Sequence, residues 1–210
     1  MIFQNRMEAG KELAKQLASY QDSKDAIAVG LARGGVVVAV ALARALNISL
    51  DVIVVRKIGA PDNPELALGA IAEKGRGAFN DELIALLGVS KEYIKKETER
   101  QREIVKMRKE LYLQGRKNQD FTGKTVLLVD DGIATGASMK VAIESVKEQN
   151  AGKIVVATPV APPEARQAIA LLVDEVVCLS EPSRFPAVGA FYKEFGQVSD
   201  EEIINLIRTK

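Results

Sequence analysis

The chain has 210 residues, of which 47% are hydrophobic, and its formal net charge at pH 7 is +1. This is enough apolar material for one sizeable core, and the near-neutral charge gives no electrostatic argument for a nucleic-acid partner. The absence of histidine excludes Ser-His and Cys-His nucleophiles and every histidine-ligated metal site.

Cysteine usage and hydropathy indicate the compartment. The single cysteine, Cys178, forms no internal disulfide, and its place in an apolar run predicts a small buried side chain. No apolar run approaches the ~18 residues of a membrane span, and the opening residues contain no signal-peptide core. We therefore expect a cytoplasmic protein with no membrane partner.

The first elements predict a strand, a glycine loop and a helix. Residues 6–20 have apolar side chains at helical spacing, residues 26–31 are typical of a buried strand, and residues 36–46 form a very apolar helix. Between the last two lies Ala32-Arg33-Gly34-Gly35. Such a turn directs backbone N–H groups toward one point and carries a cation, which predicts an anion site. A tight turn that merely requires glycine is the alternative.

The next strand is predicted over residues 51–55 and ends at Arg56 and Lys57. Residues 58–66, IGAPDNPEL, are rich in turn formers and have no helical period. Surface loops at such a place can close over a charged centre and exclude water. The alternative is a charged strand end that leads into a long hairpin.

A charged segment follows. Residues 67–72 and 77–79 are expected to pair as antiparallel strands, and residues 81–87 predict a short helix. Residues 90–117 predict a long helix, dense in Lys, Arg and Glu, with a narrow apolar seam. Its glutamates offset its basic residues, which argues against nucleic acid; a homodimer contact and a solvated face are the remaining interpretations.

The most informative stretch is residues 126–141, VLLVDDGIATGASMKV. It begins as an apolar strand covered on both faces, and helical spacing starts near Ser138. Between them, Asp130 and Asp131 precede a glycine-containing turn whose backbone N–H groups, helix dipole and Thr135 hydroxyl suit a phosphate. The carboxylates would repel that phosphate but suit adjacent hydroxyls or a cation. Ribose 5-phosphate meets both requirements.

Further core strands are predicted at residues 154–159 and 175–179, with a helix between them. Strands that alternate with helices predict an α/β fold with a parallel sheet. Ligands of such sheets bind beyond the carboxyl ends of the strands. Arg33, Lys57 and Asp130 all follow strand ends and are therefore expected to meet in one crevice.

Aromatic residues concentrate near the C-terminus. Within eleven positions lie Phe185, Phe191, Tyr192 and Phe195. Aromatic rings of this kind can stack on a flat ring. The alternative is a small satellite core under the C-terminal helix predicted at residues 200–209.

VDDGIATGAS after a strand resembles the signature of the type I phosphoribosyltransferases, in which two acidic residues follow an apolar strand and precede a TG-containing turn. The RGG loop, VRKIGAP with NPE, and the aromatic C-terminal segment further resemble stand-alone bacterial phosphoribosyltransferase-like proteins. This implies an α/β fold, a parallel-sheet type I phosphoribosyltransferase core with a small C-terminal aromatic hood and an inserted charged helix. It also implies a single domain over residues 1–210, with the core at about 24–180, a mobile loop at about 57–67 and the hood at about 181–198.

The family transfers ribose 5-phosphate from 5-phospho-α-D-ribosyl 1-pyrophosphate, called the donor below, to a nitrogen nucleophile, with Mg2+ and release of pyrophosphate. The resemblance assigns catalytic roles to Asp130, Asp131 and Lys57. Residues assigned to the 5′-phosphate and ribose are Asp130, Asp131, Gly132, Ile133, Ala134, Thr135, Gly136, Ala137 and Ser138. Those assigned to pyrophosphate, in a loop that often contains a non-proline cis peptide, are Ala32, Arg33, Gly34, Gly35, Arg56 and Lys57. Asp130 and Asp131 would reach Mg2+ through water, and the acceptor would lie under Phe185, Phe191, Tyr192 and Phe195.

Two other functions remain open: a donor-sensing regulator without catalysis, and a phosphorolytic enzyme that cleaves nucleotides. No helix-turn-helix segment or basic surplus supports the first. The acceptor is not identified, but members acting on 6-oxopurines commonly carry Asp where Ala134 stands. The resemblance therefore implies that guanine, hypoxanthine and xanthine are poor acceptors, with Glu65 as the candidate for a carboxylate from elsewhere.

Overall fold

The structure, a computed structural model, describes residues 1–116 and 118–208, without the side chain of Glu65. The predicted helix ends at Lys117 and Thr209 therefore lie outside the described residues. In the described part of the chain, no helix combines the length and the apolar character that crossing a bilayer requires.

Five parallel strands form the central sheet. They are β1 (Ala26–Leu31), β2 (Ser49–Ile53), β6 (Thr125–Val129), β7 (Lys153–Val160) and β8 (Glu175–Ser180). Their order across the sheet is β2-β1-β6-β7-β8. The second sheet is antiparallel and contains β3 (Arg56–Ala60), β4 (Asn63–Ile71) and β5 (Ala78–Phe79).

Helices cover both faces of the central sheet. They are α1 (Arg6–Gln16), α2 (Gly34–Leu46), α3 (Asp81–Leu86), α4 (Lys91–Leu113), α5 (Ala137–Lys147), α6 (Pro163–Ala170) and α7 (Asp200–Arg208). Successive strand residues point to opposite faces: Leu127 packs with α1 and α2, whereas Leu128 packs with α5 and α6. Because both faces are buried, the strands are continuously apolar, and the predicted parallel α/β fold is confirmed.

The second sheet differs from the sequence prediction. Arg56 and Lys57 begin β3 and do not end the preceding strand, and most of residues 58–66 is strand. Ile58 is fully buried, and Ala60 pairs with Asn63 across a tight reversal, so this segment packs as a hairpin, as the alternative interpretation had it. The expected antiparallel pairing beneath it is confirmed as β4 with β5.

The charged helix α4 packs along this hairpin and against α7. Ser90 caps its N-terminus, with the hydroxyl accepting from the Tyr93 N–H. Its buried seam, which includes Val105 and Tyr112, joins a core shared with α2, β3 and α7. The remaining helix surface is solvated, which explains its high charge content.

Candidate functional site

Two loops meet at the carboxyl edge of the central sheet. Because β1 and β6 are neighbours, with Gly30 opposite Val129, the segments that follow them leave the sheet side by side. A Cβ atom added to Gly35 would lie 2.6 Å from the Val129 carbonyl oxygen, and one added to Gly34 would overlap the Asp131 carboxylate. Only glycine permits so close an approach, and the two loops therefore form one site.

Hydrogen bonds from the backbone N–H groups of Asp130 and Asp131 hold the acidic pair in place. The Asp131 N–H donates to Asp130 Oδ1 at 2.9 Å, and the Asp130 N–H donates to the Ala157 carbonyl oxygen at 3.2 Å. Both side chains are partly buried. Burial, and then the neighbouring Asp131 charge, raise the pKa of Asp130 well above its ordinary value. The Asp130 carboxyl group therefore ionises less readily than an ordinary aspartate.

Replacing Asp130 with Asn is expected to stabilise the fold at neutral pH. Because the folded-state pKa of Asp130 is raised, the folded protein binds more protons than the unfolded chain above pH about 3.9, and stability falls as pH rises through the folded pKa. Asn keeps the oxygen that accepts from Asp131 but carries no charge. Denaturant unfolding should show Asp130→Asn to be the more stable protein at pH 7, with a smaller loss of stability between acidic and neutral pH. Equal stability of wild type and Asp130→Asn at pH 7 would contradict the inference that the buried Asp130 charge destabilises the fold.

Arg6, which the sequence analysis missed, binds the second carboxylate. Its Nε donates to Asp131 Oδ2 at 2.6 Å, and Nη1 donates to the Gly196 carbonyl oxygen at 2.9 Å. Its guanidinium carbon lies 3.8 Å from the centre of the Phe195 ring. Arg6 is the first residue of α1, where the helix dipole disfavours a cation. That unfavourable position was the available signal that Arg6 requires an anionic partner.

The turn after the acidic pair leads directly into α5. Gly136 precedes the helix with φ of 78° and has no side chain to cap it, and the Ala137 N–H donates to Thr135 Oγ1 at 3.4 Å. Ala134, Thr135 and Ser138 are exposed beside it. The backbone N–H groups of this first turn and the nearby hydroxyls leave the helix start able to bind an anion such as phosphate.

Two other residues of the turn are fixed by packing. Ile133 is buried, and its N–H donates to the Val160 carbonyl oxygen at 2.9 Å. A Cβ atom on Gly132 would overlap the Val188 side chain, which packs directly over the turn. Ala137 is the first residue of α5 and is exposed. The turn is therefore anchored on one side and open on the other.

The three predicted cations face different partners. Lys57 lines a cavity of about 300 Å³ together with Thr135 and Ser138. Arg56 is half-buried, and its Nε donates to Gln101 Oε1 on α4 at 2.9 Å. The structure thus brings Lys57, but not the Arg56 side chain, to the cavity beside the turn at residues 132–138, which is called the phosphate-type turn below.

Arg33 follows a cis peptide bond, Ala32–Arg33, at the place where the resemblance implied one. Its side chain turns toward α7, with Nη1 4.0 Å from Asp200 Oδ1. The Tyr112 hydroxyl donates to the same oxygen at 2.6 Å. The Arg33 backbone therefore forms part of the loop, whereas its side chain faces helix α7.

The hood aromatics pack mainly on one another and on the N-terminal segment. Phe185 lies 5.2 Å from Phe191, and Tyr192 stacks on Phe195 at 5.0 Å between ring centres. Tyr192 also packs on Phe3, and its hydroxyl donates to the Asp131 carbonyl oxygen at 2.5 Å. A satellite core is therefore present, but it lies against residues 3–9 and not under α7, because Phe3 pairs with Tyr192 as an isolated β-bridge.

Comparison with known sequences identifies the family. The sequence model of the phosphoribosyl transferase domain matches residues 1–188. This chain belongs to the phosphoribosyl transferase family. The resemblance seen in the sequence is therefore confirmed for the family and the fold, whereas the roles of individual residues stay predictions.

Two curated phosphoribosyl transferase relatives come from Mycobacterium tuberculosis. They are named putative phosphoribosyl transferase MT0597, from strain CDC 1551 / Oshkosh, and putative phosphoribosyl transferase Rv0571c, from strain H37Rv. Each is 40% identical to this chain over 205 residues, which is 97% of this chain but 46% of the relative. The chain thus spans about half the length of these relatives, and whole-protein activities are not transferred from them.

Solved structures support the same phosphoribosyl transferase fold. TT1426 from Thermus thermophilus is 44% identical, with a TM-score of 0.81 over 99% of this chain and 98% of that one. The AQ2163 protein from Aquifex aeolicus is 12% identical, with a TM-score of 0.51 over 83% of this chain and 73% of that one. The second similarity concerns the fold alone.

Proposed function

We propose that this chain transfers ribose 5-phosphate from the donor to a nitrogen nucleophile, a nucleobase-like ring, and releases pyrophosphate. The observation that carries the proposal is the contact between the two loops, in which Gly34 and Gly35 lie against the acidic pair. A phosphate-type turn, two carboxylates and a second glycine loop then follow one another along a single crevice. The donor presents a phosphate, two ring hydroxyls and a pyrophosphate in that order.

The residue roles follow this order. The 5′-phosphate lies at the start of α5, against the backbone of residues 132–138 and the Thr135 and Ser138 hydroxyls. Asp130 and Asp131 accept from the ribose hydroxyls. The pyrophosphate lies along residues 32–35 with Lys57 as its cation, Arg56 would join it once the hairpin moves, and the hood rings cover the acceptor. The nitrogen forms a bond to ribose C1 as the bond from C1 to the pyrophosphate oxygen breaks; pyrophosphate leaves with that electron pair, and the proton of the nitrogen passes to water.

The acidic pair fits the magnesium ion that the family uses. Among residues 1–116 and 118–208, no group of three or more His, Cys, Asp or Glu side chains could hold a metal by itself. Mg2+ commonly keeps several waters and uses one or two carboxylates together with substrate phosphates. Asp130 and Asp131, acting through water, would hold the ion, which neutralises charge on the leaving pyrophosphate when bound.

The domain organisation is part of the same proposal. It comprises one domain over residues 1–210, with the core at about 24–180, the mobile loop at about 57–67 and the hood at about 181–198. The loop is a β-hairpin in the structure, so closure would move a paired element whose base is β3 and β4. We also place the protein in the cytoplasm.

Pyrophosphate release tests the function. The protein is incubated with the donor and Mg2+ and with a panel of nucleobases and amines, and pyrophosphate is measured. Release that depends on one acceptor class supports transfer. Donor binding without release for any acceptor favours the regulator, and phosphate-dependent release of base from nucleotides favours phosphorolysis.

Replacing Asp131 with Ala is expected to weaken donor binding by about 1–3 kcal/mol, because a bound hydroxyl loses its charged hydrogen-bond partner. Calorimetric titration of the magnesium–donor complex measures this loss. Glu12→Ala is the matched control, since Glu12 is a partly exposed carboxylate that pairs with Lys15 at 2.6 Å as Asp131 pairs with Arg6. Unchanged affinity in Asp131→Ala would remove Asp131 from the donor site.

A further inference from the structure

A second cavity lies on the other side of the β3–β4 hairpin. It has a volume of about 460 Å³ and is enclosed between the hairpin and α4. Its charged lining consists of Arg56, Lys57, Arg100, Arg108 and Glu97. Among the residues that line it, none comes from the loop at 32–35 or the turn at 130–138. Lys57 lines both cavities, so the hairpin is the wall between them.

The positive charge in this cavity is not balanced. The single carboxylate, Glu97, is already engaged: Arg100 donates to it through two nitrogens at 2.7 and 2.8 Å, and Gln101 Nε2 donates at 2.8 Å. Arg56 uses only Nε, toward Gln101. Within the described residues, Arg108 is recorded with no hydrogen bond or ion pair although it is half-buried. Two guanidinium groups therefore keep unused donors in a partly enclosed space.

The two arginines also oppose one another electrostatically. Burial lowers the pKa of Arg56, and the Arg108 charge and then the Arg100 charge lower it further. Half-buried like charges are costly to hold together unless an anion lies between them. Guanidinium groups bind phosphate oxygens through pairs of parallel N–H donors, so two of them suit two adjacent phosphates.

We propose that Arg56 and Arg108 bind a diphosphate group in the cavity between the hairpin and α4. The uncharged part of the lining, which includes Pro61, Pro64 and Tyr93, leaves room for the body of a small phosphorylated molecule. The diphosphate belongs either to the donor, reached when the hairpin moves, or to a separate phosphorylated ligand. In the first case the inference rests on the proposed function and adds Arg108 to the donor site; in the second it stands independently.

The experiment uses inorganic pyrophosphate as the probe, titrated calorimetrically into wild type, Arg108→Gln and Lys106→Gln. Lys106 is an exposed cation on the same helix and is absent from the cavity lining, so its variant controls for net charge. Arg108→Gln should bind pyrophosphate roughly tenfold to 150-fold more weakly, the loss expected for charged hydrogen bonds, and Lys106→Gln should match wild type. Arg108→Lys, which keeps the charge but not the forked donors, should fall between them and serves if the Gln variant does not fold.

A second set of titrations identifies the source of the diphosphate. If it belongs to the donor, Arg108→Gln weakens donor and pyrophosphate binding by the same factor, and the donor excludes pyrophosphate from wild type. If it belongs to a separate ligand, donor-saturated wild type still binds pyrophosphate, donor-saturated Arg108→Gln does not, and donor affinity is equal in both. Equal pyrophosphate affinity of wild type and Arg108→Gln, with and without donor, overturns the inference whether or not transfer activity is found.

Discussion

Replacing Lys57 with Met is expected to lower kcat by about 10²–10³, the usual cost of removing one positioned donor that stabilises developing charge. Lys57 lines the cavity that contains Thr135 and Ser138, and it lies at the base of the hairpin. In the proposed reaction, its ammonium group meets the leaving pyrophosphate. Because that charge grows as the bond breaks, kcat should fall much more than donor affinity.

Steady-state rates and donor affinity, measured separately for Lys57→Met, test this expectation. Lys95→Met is the control, because Lys95 is an exposed cation on α4 with no recorded partner in the described structure. A variant with an unchanged kcat and a weaker donor affinity would mean that Lys57 binds the donor but takes no part in the chemical step.

Guanine, hypoxanthine and xanthine are expected to be poor acceptors, by roughly tenfold to 150-fold relative to a ring that needs no carboxylate partner. Ala134 is exposed in the turn between the acidic pair and α5, and its methyl group neither donates nor accepts. A ring that requires a carboxylate partner loses about 1.5–3 kcal/mol of binding free energy in a base site that lacks one. The effect concerns the choice of acceptor and leaves donor binding intact.

Turnover of the three purines by wild type and by Ala134→Asp measures this effect. The variant should gain activity with 6-oxopurines while donor affinity stays the same. Wild-type turnover of any of the three with kcat/KM above about 10⁴ M⁻¹s⁻¹, the low end of ordinary enzyme performance, would contradict the role given to Ala134. The Glu65 side chain, the other candidate carboxylate, lies outside the described residues.

The sequence predicts the central sheet well because its inner strands, β1, β6 and β7, are buried on both faces. A strand such as β1 or β6 must then be apolar throughout and bounded by polar turns, and this pattern is visible without the structure. The same reasoning placed the RGG loop and the acidic pair at strand ends. Their meeting follows from the adjacency of β1 and β6, which connection rules for parallel sheets favour but do not determine.

Other features could not be read from local pattern. The hairpin at residues 56–71 is stabilised by packing on α4 and α2, which lie elsewhere in the sequence. Taken alone, its own turn-forming residues indicated a loop. The partner of the hood was missed for a similar reason, since the bridge from Phe3 to Tyr192 joins distant parts of the sequence. Arg6 gave one signal, a cation at a helix start, but its partner Asp131 is 125 positions away.

The contacts between residues 3–6 and 191–196 also have a consequence for biosynthesis. The Tyr192 ring and the Gly196 carbonyl that contact Phe3 and Arg6 are synthesised 189 to 190 positions after them. At translation rates of about 5–20 residues per second, the N-terminal arm waits roughly 10–40 s for these partners. During that interval the nascent chain can assemble β1, β6 and their helices while Arg6 still lacks its Gly196 and Phe195 contacts. The lateral support of Arg6 beside Asp131 is therefore acquired only after the strands that carry the acidic pair have been synthesised.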